Sequence, residues 1–207
     1  MSIGLAEYPS ELDDYITLPN HKRLRIRALH RGEEGPIREL YSHLNSRTRY
    51  LRFFSAMPTL PESVARVLAA VDYRRQLALV AEHDDSEGRE VVGLRSFGAI
   101  DEISVEVALV VRDNWQRQRI GTELAGRLLQ AAESRGFHRF TAFVQPENIA
   151  IRRLLKKMGD IVSTKVSDGI LELAFVRRAP TCASRIENSR AESRIRQCCA
   201  APHVFLR

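Results

Sequence analysis

The first 181 residues contain no cysteine, and the three in the chain, Cys182, Cys198 and Cys199, all come later. A disulfide framework and a cysteine-rich zinc site are thereby excluded from any core built before them. No run of about 18 apolar residues occurs, so no membrane-spanning helix and no membrane partner are expected. The opening stretch "MSIGLAEYPSELDDY" carries acids and lacks a basic flank followed by an apolar segment, which argues against a secretory signal and for a cytoplasmic protein. Zinc-type spacings, a nucleophile elbow and a phosphate-loop lysine motif are also missing, so no metal is expected.

What is present is ordinary for a single globular domain. The charge is unevenly placed: residues 181–207 hold five Arg against two Glu, which is +3, leaving +3 of the net +6 for the first 180 residues. The high isoelectric point is therefore half a property of the C-terminal stretch, and nucleic acid is not expected as a partner. Three segments follow from patterning. Residues 1–20 read as a polar, acidic leader, 21–180 as the domain, and 181–207 as a basic tail expected to be disordered. A docking arm for an acidic partner is the alternative for the tail.

Within the domain, "RLRIRAL" alternates as a half-buried strand. "GPIRELYSHL" has helical spacing with Pro36 in its first turn, and "SRTRYLRFF" reads as a short helix capped by Asn45 or Ser46. Its Tyr50, Phe53 and Phe54 are expected in the core, with Arg47, Arg49 and Arg52 forming a solvated or substrate-facing edge. A third helix fits "PESVARVLAAVDY". "QLALVAEH", "VVGLRSFGAI" and "ISVEVALVV" then predict an antiparallel meander. A helix with Ile120, Leu124, Leu128, Leu129 and Ala132 on its apolar face ends near Gly136. The strand "FHRFTAFV", the basic helix "NIAIRRLLKKMG" and two strands around Asp168 and Gly169 complete the order. The passage from Val107 to Val144 is a strand, helix, strand crossover, so at least one strand pair is expected to be parallel.

Between strand and helix lies "NWQRQRIGTEL". A turn that opens a helix presents unpaired N–H groups at the positive end of the helix dipole, which is an anion site. It resembles the acetyl-CoA turn Q/R-x-x-G-x-G/A of the GCN5-related N-acetyltransferases. Two registers compete. Starting at Gln116 replaces the first glycine by Arg119 and keeps Gly121, whereas starting at Gln118 keeps Gly121 as the first glycine and puts Glu123 at the second. Trp115 just before the motif and "RIGT" within it favour Gln116. "ENIAIRRLLKKMG" is similar to the family's following motif. "LNSRTRYLRFF" and "VDYRRQLALVAE" resemble the acetyltransferase half of bacterial protein lysine acetyltransferases. The resemblance spans about residues 21 to 180. It implies a mixed α/β (α+β) fold, mostly antiparallel, of six or seven strands flanked by helices, with a parallel pair splayed at the acetyl-CoA site.

The resemblance also implies roles. Gln116, Arg117, Gln118, Arg119, Ile120, Gly121 and Thr122 would cradle the cofactor. The backbone of Leu109, Val110 and Val111 would pair with the pantetheine arm, with the N–H of Val110 or Val111 facing the thioester oxygen. Glu106 matches the strand glutamate that serves as general base. Among buried neighbours its carboxyl pKa is expected to rise by desolvation, whereas periodicity alone leaves a solvent-facing or arginine-paired glutamate open. Asn148 either hydrogen-bonds the cofactor or caps the helix after it, and the two can coexist. The family's common tyrosine acid falls at Leu155. His138 is a weak substitute. The expected activity is acetyl-CoA-dependent N-acetylation, of a protein lysine in the first instance. A small amine is the runner-up, and a catalytically weak acyl-CoA-binding module or nucleic-acid binding through the tail follows. A homodimer is compatible with this reading.

Overall fold

The computed structural model describes residues 6–55, 57–85 and 88–178. The tail and its cysteines lie outside the described residues. Thirteen elements follow in the order β1 (Asp14–Thr17), β2 (Arg23–Ala28), α1 (Gly35–Ser42), α2 (Ser46–Phe53), α3 (Glu62–Ala69), β3 (Gln76–Asp85), β4 (Gly88–Ala99), β5 (Ser104–Val111), α4 (Ile120–Glu133), β6 (Arg139–Val144), α5 (Ile149–Met158), β7 (Gly159–Ser167) and β8 (Ile170–Arg177). The strands form one sheet in the order β1-β2-β3-β4-β5-β6-β8-β7. All neighbours are antiparallel except β5 and β6, which run parallel across the α4 crossover.

Helix α4 is the main reason the sheet folds around one core. Its face of Ile120, Leu124, Leu128, Leu129 and Ala132 is at most 1% exposed and packs over β3, β4 and β5. Each such Leu or Ile contributes about 1.5–3 kcal/mol through the apolar area it removes from water. On the same sheet, the buried Arg27 guanidinium is forked between Glu82 at 2.7 Å and Glu33 at 2.8 Å, so its charge is matched inside the protein. Among the described residues no helix is long and apolar enough to cross a membrane.

Two expectations change. Residues 14–17, placed in a leader by their polar sequence, form β1 by pairing Asp14–Thr17 against Arg23–Ile26, which makes the sheet eight-stranded rather than six- or seven-stranded. Cross-strand charge explains the addition: Arg25 donates to Asp13 at 2.8 Å, and the Arg23 guanidinium lies 4.7 Å from the Tyr15 ring centre. Of the aromatic residues at the end of α2, Phe53 packs half-buried against the core and the other two do not join it. Tyr50 is 41% exposed, Phe53 meets the Tyr41 ring edge-on, and Phe54 ends the helix in the left-handed region at φ 56°. Helix α2 lies against β5 at the rim of a cavity, where little apolar surface is available to cover it.

Helix α5 passes into β7 without a linker, through Gly159. A Cβ at Gly159 would stand 2.2 Å from the Val176 carbonyl oxygen on β8, so only glycine permits this approach. Gly159→Ala is expected to lower the unfolding free energy by about 1–3 kcal/mol or more, as overpacking against rigid backbone does. Urea denaturation checks it, and wild-type stability would mean that β7 and β8 separate at little cost.

Candidate active site

The parallel pairing of β5 with β6 is brief. It joins Ser104 to Arg139, Val105 to Phe140 and Glu106 to Thr141, and stops there. Beyond that point β5 remains paired with β4 as far as Val111, and β6 remains paired with β8 as far as Val144. The two strands therefore diverge, each leaving one edge of main-chain groups unmatched in the gap. A cavity of about 500 Å³, open mouth included, occupies this gap and is walled by α2, β4, β5, β6 and α5.

Glu106 stands where the strands part. The expectation of a carboxylate desolvated among buried residues does not hold: Val105 and Val107 take the buried side of β5, and Glu106, at the alternate position, is exposed and lines the cavity. The period of two places it there. Leu109 lines the same cavity, and Val110 is buried at 5%. Asn148 lines the cavity and also caps α5, its side chain accepting from the Ile151 N–H at 3.2 Å, so the helix-cap reading holds. Leu155 is 1% exposed and faces the same space. His138 is exposed and lies outside the cavity wall.

The turn follows directly. After β5 a short 3-10 turn, Asp113–Trp115, buries Trp115 at 3% exposure, with Lys22 Nζ 4.5 Å above its ring centre and His83 beside it. Arg117 and Arg119 then adopt left-handed backbone, at φ 61° and 69°, and Arg119 is the residue from which α4 springs. Arg119 thus takes the conformation that glycine favours, and this supports the register starting at Gln116. Main-chain N–H groups of residues 117 to 121 have no hydrogen-bond partner among the described residues. Gln116 donates to the Val111 carbonyl at 3.1 Å and Gln118 to that of Asn114 at 3.1 Å, so the side chains brace the turn. Ile120 is buried at 1% and carries no polar group, and Thr122 is half-buried in the first turn of α4. Gly121 faces the gap side of β5, since a Cβ there would lie 3.2 Å from Leu109 and 3.7 Å from Leu154.

Two groups, Asp113 and Arg95, were not singled out from sequence, whereas Arg52 was expected on a solvated or substrate-facing edge. Asp113 accepts from the Asn45 N–H at 2.8 Å and from the Thr48 hydroxyl at 2.6 Å, which ties the start of α2 to the turn. Arg52 points along the cavity wall with its Nε sealed and unpartnered, and burial pushes its guanidinium down to about 10 against the opposing pull of Glu106. Arg95, from the middle of β4, also lines the cavity, is 1% exposed and is pushed down to about 9 by burial. Both remain cations at neutral pH. The available signal was one charged residue inside the apolar run "VVGLRSFGAI". Among the described residues no group of His, Cys, Asp and Glu has the spacing to hold a metal.

Comparison with known proteins agrees with this geometry. The model of the acetyltransferase (GNAT) domain matches residues 23–160. The fold is similar to the GNAT domain of S. lividans PAT, with TM-score 0.72 and 23% identity over 82% of this chain and 99% of that one. It is similar to yncA from Salmonella typhimurium, determined with its cofactor acetyl-CoA, with TM-score 0.57 and 22% identity over 75% of this chain and 92% of that one. A cAMP-binding acyltransferase from Mycobacterium smegmatis shares the fold at TM-score 0.54 and 20% identity, over 80% of this chain and 48% of that one. With well over half of its length matched by the family model, the chain belongs to the GNAT acetyltransferase family and is an N-acetyltransferase that acts with acetyl-CoA.

Proposed function

We propose that the protein acetylates lysine side chains of other proteins by direct attack of the amine on the thioester of acetyl-CoA. The observation that carries this reading is the parting of β5 and β6 immediately after Glu106, with an acid at the floor of the gap and an open main-chain edge leading to the anion turn. In this reading the diphosphate rests on the N–H groups of residues 117 to 121, and the pantetheine arm pairs with β5 from Leu109 to Val111. An extended arm with amide groups matches an unpaired strand edge.

A lysine ammonium, of pKa about 10.4, must first lose a proton before its nitrogen attacks. Glu106 receives that proton and passes it to solvent. The C–N bond forms, a main-chain N–H at Val110 or Val111 holds the oxyanion, and the C–S bond breaks with its electron pair on sulfur. The amine's second proton neutralises the thiolate. A thiol of pKa about 8.5 leaves readily, so the apolar Leu155 at the tyrosine position is no barrier to turnover. A small-molecule amine is the second reading, and the observation favouring it is the pair of arginines inside the cavity, a polar feature that a lysine side chain alone does not use.

With a lysine-containing peptide as acceptor, thiol release from acetyl-CoA is expected in the wild type, and Glu106→Gln is expected to reduce kcat by about 10²-fold or more at an unchanged KM for acetyl-CoA. An undiminished kcat would remove Glu106 from the mechanism. Arg119→Gly relieves a left-handed side-chain conformation and is expected to raise unfolding free energy by up to about 1 kcal/mol, the relief being partly offset by glycine's freedom in the unfolded chain. Calorimetric titration of that variant with acetyl-CoA is expected to give affinity within a few-fold of wild type, because main-chain groups do the binding. A loss of about 10-fold or more, the worth of a charge-assisted hydrogen bond, would identify the guanidinium as a ligand.

A further inference from the structure

Acetyl transfer as described gives neither arginine of the cavity a task. Arg95 is 1% exposed, and its Nε and both terminal nitrogens have no hydrogen-bond partner among the described residues. A guanidinium offers five donors in a rigid plane, and burying it unmatched is one of the less favourable arrangements a core can hold. Elsewhere in the same sheet the same side chain is fully served, Arg27 by two glutamates. Arg95 instead forms part of the wall of the cavity that Glu106 lines. Arg52 lines it from α2, also with an unpartnered Nε. Glu106 acts on Arg52 through space, yet neither the Arg52 Nε nor any Arg95 nitrogen has a hydrogen-bond partner among the described residues. Two cations and one carboxylate give the wall a net charge of +1.

We propose that Arg95, assisted by Arg52, is a carboxylate subsite within the transfer cavity, filled by a small ligand that carries one acid group. The inference rests on reading this cavity as the place where acyl group and amine meet. A carboxylate fits better than a phosphate: it is planar like the fork that would hold it, and its single charge balances the wall. The acid has two chemical sources. Arg95 is the register partner of Leu109 on β5, where the pantetheine arm would lie, so a dicarboxylic acyl chain such as succinyl would bring its far end to the guanidinium. An amino acid acceptor would bring its own carboxylate to the same fork. The transfer balances as before in either case: the nitrogen takes the acyl carbon, the thiol leaves, and the distal carboxylate is unchanged.

The test uses the full chain in two arms. In the donor arm, succinyl-CoA and acetyl-CoA are titrated calorimetrically, a binding measurement that reads even if no amine is turned over, so its failure is separable from failure of the acetylation reading. In the acceptor arm, thiol release from acetyl-CoA is compared between free L-amino acids and their carboxamides. The wild type is expected to prefer the carboxylate ligand by about 10-fold or more in one arm, the gain of a charge-assisted bidentate pair, and that arm names the source. In Arg95→Met the two ligands become equal to within about 2-fold, with Arg95→Lys intermediate because it keeps charge and loses the fork. Apo Arg95→Met melts at or above the wild-type temperature, since an unmatched buried charge has been replaced by an apolar chain. Equal ligands in both wild-type arms would overturn the proposal. So would a preference that survives in Arg95→Met, or a melting temperature several degrees below wild type, which would make Arg95 a residue of the fold.

Discussion

The site depends on where one strand pair lets go. β5 and β6 are held together through Glu106 and Thr141 and no further, while each remains bound to its other neighbour. A parallel pair that continued would satisfy its own N–H and C=O groups and leave no room between them. The gap instead exposes an apolar slot with polar edges, which is what a pantetheine arm requires. Under the proposed mechanism the last paired residue is the acid, and the open edge beyond it carries the main-chain donors at Val110 and Val111. Helix α5 forms the far wall of the gap with its cap Asn148 and its buried Leu155.

The arginines of the sheet show how differently one side chain is used. Arg27 is surrounded by acids, and its burial serves the fold. Arg95, as deeply buried, lines the cavity, and its nitrogens have no hydrogen-bond partner among the described residues. The first arrangement is complete in the free protein and the second is completed by something else. Desolvation weakens the second cation without discharging it, so the cavity carries positive potential into a region whose remaining walls are mostly apolar. Low local polarity strengthens whatever electrostatic contact a ligand makes there.

Much of the fold was legible in the sequence because local periodicity dictates it. The α4 face from Ile120 to Ala132 repeats at helical spacing, β3 and β4 are compact apolar runs while β5 alternates about Glu106, and Asn148 sits where a helix needs an acceptor. Strand β1 was not legible, since Asp14–Thr17 is four residues long with Ile16 its one aliphatic side chain, and it acquires strand geometry only by pairing with β2. Exposure of Glu106 and Tyr50 was missed for a related reason: each depends on what a neighbouring element fails to cover. Arg119 was visible as a departure from glycine, but its φ of 69° is a property of the folded turn and no composition rule announces it. Arg95 was in plain view as a charge inside an apolar strand. Whether such a charge has a partner is a question about residues distant in sequence.

Asp113 sits between the end of β5 and the anion turn, and its carboxylate holds the first turn of α2 through Asn45 and Thr48. Helix α2 in turn supplies the wall that an acceptor would meet. Donor and acceptor halves of the cavity are therefore joined mechanically through one carboxylate. A ligand that tightened the turn would thereby restrict α2, and thermodynamic reciprocity would make the converse hold to the same degree. Affinity for one substrate would then be conditional on the other, and a binding constant measured for either alone would describe half of a coupled pair.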